Sequence, residues 1–119
     1  MKEDSVQNYK DLVVWQKSMK LVAMIYPLCR QLPKSEQFVM SDQIRRSAIS
    51  IPSNIAEGQK RLNRAETIQF TGIALGSAAE LETQLLLAKD IYALPVEGAL
   101  AAVIEVQKLF SGLIRSLRA

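Results

Sequence analysis

Glu57, Glu80 and Glu82 are the side chains whose type and spacing come nearest to chemistry, since carboxylates on two helical segments can hold a metal or move a proton. Bundle metal sites of that kind complete their ligand set with Glu-x-x-His pairs, and this chain contains no histidine. The same absence removes the commonest general base and the partner of most nucleophiles. Cys29 is the one cysteine, so no intramolecular disulfide can form. It falls on a helical apolar seam, where a free thiol packs as a small hydrophobe. No phosphate-binding glycine loop, dinucleotide turn or zinc spacing occurs. The expectation is a protein that binds without converting, with no catalytic residue, metal site or cofactor.

Two constellations remain. Gln43, Arg46, Ser50, Asn54 and Glu57 repeat at helical spacing beside an apolar seam, and Ser77, Glu80 and Gln84 form a matching row further on. Facing each other, the rows would make a half-buried network, with Arg46 and Glu80 as the preferred pair. Such a network fixes register more than it adds stability, because desolvation offsets much of the Coulomb gain. The second constellation is basic. Lys60, Arg61 and Arg64 bracket a connector, with Arg45 and Arg46 further back, and they are candidates for phosphate contacts. A formal charge of +3 is too mild to demand an acidic partner, so a solvated loop is the alternative for a monomer. An oligomer would repeat the patch and raise its potential.

The elements that must position these residues are helices. In the first segment Leu12, Trp15, Met19, Val22, Tyr26 and Cys29 alternate by three and four, the spacing of a buried seam. A second stripe, Val14, Leu21, Ile25, Leu28 and Leu32, lies beside it, interrupted only by Ser18, and Leu32-Pro33 ends the helix. Ser41 is placed to cap a second helix with Met40, Ile44, Ala48, Ile51 and Ile55 inward; it should continue, kinked, through Pro52 and stop at Gly58. Asn63 and Glu66 make a capping box for a third helix from Arg64 to about Tyr92. Gly72 and Gly76 inside it predict a close neighbour, with Trp15 the candidate. Pro95 suits the first position of a fourth helix, whose seam is Val96, Leu100, Val103, Gln107, Phe110, Ile114 and Leu117.

Short connectors between long helices predict an all-α, antiparallel up-down-up-down four-helix bundle. At 119 residues, 49% hydrophobic and 23% charged, the chain fits one domain, residues 1–119, with an N-terminal tail over 1–10. No apolar run reaches the ~20 residues of a membrane span, and the polar start lacks a signal-peptide core, which points to the cytoplasm. The apolar arcs of helices one and four are wider than one bundle needs, which predicts a subunit interface.

Four runs occur in order: Leu12 to Trp15, Gln43 to Ala48, Ser50 to Gly58 (Ser-Ile-Pro-Ser-Asn-Ile-Ala-Glu-Gly) and Gly76 to Glu82. Together they resemble the bacterial four-helix bundle family of ribosomal RNA intervening-sequence proteins, over about Tyr9 to Tyr92. That family is related to the accessory variability protein of diversity-generating retroelements. The resemblance implies a homo-oligomer, a pentameric ring, and through the retroelement relatives a basic surface associated with nucleic acid and a reverse transcriptase. Arg45, Lys60, Arg61 and Arg64 are the candidates for such a surface. Arg46, Asn54, Glu57, Ser77, Glu80 and Gln84 form the expected structural network. The expected function is a non-enzymatic oligomeric accessory factor that binds RNA through phosphates; the alternative is a scaffold for a protein partner, without nucleic acid.

Overall fold

A computed structural model describes residues 8–119. Four α-helices, α1 (Val13–Arg30), α2 (Met40–Gln59), α3 (Arg64–Tyr92) and α4 (Glu97–Arg118), account for most of it, with short 3-10 turns at Tyr9–Asp11 and Lys34–Glu36. Of the expected tail, residues 1–7 lie outside the described residues. Asn8 accepts from the Lys10 amide at 2.9 Å and caps the first of these turns.

The contacts between helices give their directions. Ser47 meets Gln84, Ser50 meets Ser77 and Gly58 meets Phe70, so residue numbers rise on α2 as they fall on α3. The same inversion relates α3 to α4, through Glu82–Gln107 and Lys89–Glu97, and α1 to α4, through Lys17–Glu105 and Met24–Gly98. The four helices thus form an antiparallel bundle 52 Å long and about 20 Å across, in which α3 runs most of the long axis. α2 passes through the buried Pro52 as one continuous helix, although the ring leaves the Ala48 carbonyl without its usual donor.

Core packing reverses the order of the two stripes on α1. Val14, Leu21, Ile25 and Leu32 are the buried ones, joined by Cys29, whereas Met19 is 46% and Tyr26 38% exposed. Ser18 does not break the inner stripe. Its hydroxyl is fully buried and donates to the Val14 carbonyl at 2.6 Å, so burial leaves no polar group unsatisfied. On the other helices Ile44, Ile51, Leu81, Leu85, Val103 and Phe110 fill the centre. Burial raises the Cys29 thiol above its ordinary pKa, against a smaller downward pull from Ser41 and the Arg45 charge. The thiol is therefore held neutral, and Cys29 is expected to react with a disulfide reagent at neutral pH only at the rate of global unfolding, as a time course with and without denaturant would show.

Several helix ends differ from expectation. α2 starts at Met40 with Val39 as its cap; Ser41 lies inside the first turn, its hydroxyl accepting from Arg45 at 2.8 Å. Gly58 is not a stop, because α2 continues to Gln59 and no glycine has positive φ. A Cβ there would stand 2.9 Å from Phe70 Cβ and 3.3 Å from the Thr67 carbonyl, so glycine is required by the approach of α3. Asn63 caps α3 as expected, its Oδ1 accepting from the Glu66 amide at 2.9 Å, while the Glu66 carboxylate turns to Arg61 at 3.9 Å. Pro95 precedes the cap residue Val96 and is not the first residue of α4.

Ala93 ends α3 in the left-handed region, at φ 56°. Alanine pays a steric penalty there that glycine avoids. Ala93→Gly is expected to raise stability by about 0.5–1 kcal/mol, measurable by denaturant titration.

Candidate nucleic-acid interface

The connector from α2 to α3 is four residues long, Lys60 to Asn63, and it carries the basic cluster at one end of the bundle. Arg61 is held from three sides: Glu57 at 2.7 Å, Glu66 at 3.9 Å and the Phe70 ring, 4.4 Å from the guanidinium carbon. Its charge is largely answered by these carboxylates, and its stacking on Phe70 braces the connector. Lys60 and Arg64 are exposed, and among the described residues neither stands within ion-pair distance of a carboxylate.

Arg45 is placed elsewhere. It lies fifteen positions before Lys60, about 22 Å along the helix axis. There it donates to Ser41 Oγ and, at 3.4 Å, to the Gln37 carbonyl, beside the Tyr26 ring. Gln37 in turn donates to the carbonyls of Cys29 and Leu32, both at 2.9 Å, which closes the end of α1. Arg45 thus ties α2 to the end of α1, away from the connector.

The antiparallel bundle brings in cations that sequence proximity does not reveal. Arg115 and Arg118 line a groove with Gly72, which sets the end of α4 beside the start of α3. Tyr9 packs edge-on against Trp15, with ring centroids 5.4 Å apart, and the two line a groove with Ala56, which sets Lys10 at the same end. Among the described residues, that end holds the side chains of Lys10, Lys60, Arg61, Arg64, Arg115 and Arg118 against those of Asp11, Glu57 and Glu66: six cations less three carboxylates, an excess of three. The described residues together hold 14 cationic and 10 acidic side chains, an excess of four. A modest net charge is therefore concentrated on one tip, where it creates a local positive potential. Pairing residue 64 with the last turns of α4, as an up-down bundle requires, is the signal that would have found these cations.

The two polar rows do meet. Ser50 and Ser77 share a hydrogen bond of 2.8 Å, and Ser47, which is not part of the expected row, donates its Oγ–H to Gln84 Oε1 at 2.6 Å. Asn54 donates to both the carbonyl and hydroxyl of Ser50, and Gln84 reaches Glu80 at 3.4 Å. Glu57 points to Arg61, outside the row. Arg46 pairs with Asp42 on its own helix at 3.3 Å, so the preferred Arg46–Glu80 pair is not the one formed. With its side chain 80% exposed, Arg46 had only to turn along α2 to find a carboxylate four residues back. Arg46 and Glu80 both line a cleft of about 280 Å³ together with Ser47, Ser50 and Ser77. The Ser47–Gln84 and Ser50–Ser77 bonds run from helix to helix and set the register between α2 and α3. Trp15 also lies away from its expected place: it faces Ile49, Pro52 and Ala56 of α2, not the glycines of α3.

Among the described residues no group of three or more histidine, cysteine or acidic side chains could hold a metal ion, and no helix is long and apolar enough to cross a membrane. The model of the 23S rRNA-intervening sequence protein family matches residues 10–113. The chain belongs to that family. It is also similar to a protein of unknown function from the S23 ribosomal protein family of Bacteroides thetaiotaomicron VPI-5482, seen in a crystal structure. Identity is 34% over 89% of this chain and 98% of that one, with a TM-score of 0.81. No curated protein matches the chain. The runs that carry the sequence resemblance are structural here: Ser50 meets Ser77 across the α2–α3 contact, Asn54 braces Ser50 from one turn along α2, and Gly58 admits Phe70.

Proposed function

We propose that this member of the 23S rRNA-intervening sequence family is a non-enzymatic, oligomeric accessory protein that binds structured RNA through backbone phosphates at the cationic end of its bundle. The observation that supports this reading is the concentration of charge at that end, with Lys60 exposed on the connector and Arg64 exposed at the start of α3. Phosphate contacts of this kind position a nucleic acid without reading its bases. Assembly is supported by the outer stripe of α1: Met19 and Tyr26 are exposed beside Ile49, which is 42% exposed, and single bundles rarely leave such a run open. The resemblance drawn from sequence implies five subunits, and a ring would set five cationic tips around one axis.

Lys60→Glu with Arg64→Glu is expected to weaken binding of an RNA hairpin about 10–100-fold and to lower the salt slope by roughly two. Lys34→Glu, at the opposite end, should leave affinity unchanged. Fluorescence anisotropy over a salt series measures both, and affinity that does not fall with salt would exclude phosphate binding. A monomeric mass by light scattering at micromolar concentration would refute the assembly.

A further inference from the structure

The face between α3 and α4 bears an open groove made of two connected hollows of about 790 and 760 Å³, which share Leu75 and Ser111. Gly72, Leu75, Gly76 and Ala79 of α3 form its floor with Ile104 and Ile114 of α4. A Cβ at Gly72 or Gly76 would meet nothing within 4 Å. Each glycine costs about 1 kcal/mol of helix propensity relative to alanine, and among the described residues no side chain fills the space they open.

The rim of the groove is cationic. Lys108, Arg115 and Arg118 are exposed, and among the described residues none lies within ion-pair distance of a carboxylate. Among the described residues the one acidic side chain lining the groove, Glu82, is engaged by Gln107 at 2.7 Å. From Ile104 to Arg118 the groove follows α4 for about 21 Å, or roughly four helical turns.

We infer that this groove docks an amphipathic helix of a partner protein, with small apolar residues on the Gly72–Gly76 floor and Asp or Glu side chains against Lys108, Arg115 and Arg118. The charge of the rim selects this occupant. RNA would satisfy the cations and leave the apolar floor uncovered. A second copy would present its exposed stripe around Met19 on α1, a helix with no acidic residue where Lys20 is exposed and Lys17 is already paired with Glu105, so that stripe offers the rim no carboxylate of its own. An acidic amphipathic helix satisfies both parts at once, in the helix-in-groove manner. The groove shares Arg115 and Arg118 with the cationic end of the bundle, but neither Lys60 nor Arg64 lines it.

The probe is a fluorescein-labelled synthetic helix of about 16 residues, with an Ala/Leu face and Glu flanks, compared with the same peptide carrying Lys flanks. The full chain is expected to bind the Glu peptide at least tenfold more tightly. Gly76→Leu, which fills empty space and favours the helix, should cut that affinity at least tenfold without lowering the melting temperature. Arg115→Glu with Arg118→Glu should reverse the preference. Equal binding of the two peptides, or full affinity in Gly76→Leu, would overturn the inference. So would a change in the assembled mass of Gly76→Leu, which would assign the groove to a contact between copies. Lys60→Glu with Arg64→Glu should leave peptide affinity intact, so the RNA reading and this one fail separately.

Discussion

Gly58→Val is expected to destabilise the bundle by about 2–3 kcal/mol and lower its melting temperature by roughly 10 °C. The first added carbon would stand 2.9 Å from Phe70 Cβ, and the two further methyl carbons have no room beside the Thr67 backbone. Neither neighbour is the free end of a flexible side chain. Phe70 is fixed at its Cβ by α3 and carries the Arg61 guanidinium on its ring, and Thr67 donates to the Gly58 carbonyl at 2.8 Å. Relief would need α2 and α3 to part, which weakens the Ser50–Ser77 contact further along. Gly72→Ala is the control: it meets nothing within 4 Å and should gain up to about 1 kcal/mol from helix propensity. Thermal unfolding of the two variants decides the matter. Equal, small changes would mean that Gly58 is a tolerant position and that the α2–α3 approach is set elsewhere.

The contrast between these glycines shows how much a sequence discloses. A glycine inside a helix announces that something is close or that something is missing, and only the packing says which. Gly58 looked like a helix stop and is a contact; Gly72 and Gly76 looked like contacts and border an open groove. What was legible depended on local rules with few alternatives. The Asn63 cap, the extent of α3 and the meeting of the two polar rows follow from capping and helical spacing, and the structure places them accordingly. The Arg46 pairing was not legible, because an exposed arginine with an acid four residues back on its own helix has a nearer choice. The cationic tip was half legible: Lys60, Arg61 and Arg64 adjoin in sequence, whereas Arg115 and Arg118 join them only through the chain direction of α4.

Leu21→Ala is expected to cost about 2–5 kcal/mol, a large share of the roughly 5–15 kcal/mol that holds such a domain folded. Leu21 is fully buried among the inner residues of α1, and truncation leaves a cavity that the surrounding helices fill only in part. Met19, two residues earlier, carries a side chain of similar size on the stripe that sequence spacing favoured as the seam. With 46% of its surface exposed it has less to lose, and Met19→Ala should cost under about 1 kcal/mol. The two stripes have equal periodicity, so hydrophobicity alone could not order them. The deciding feature is Ser18, whose hydroxyl bonds the Val14 carbonyl and lets a polar residue sit on the inner face. Denaturant unfolding of the two variants tests the assignment, and a loss in Met19→Ala as large as in Leu21→Ala would reverse it. The same Met19→Ala protein tests what the outer stripe is for. If the stripe is the contact between subunits, light scattering should show dissociation at a concentration where the parent chain stays assembled, while the melting of the dissociated subunit changes little.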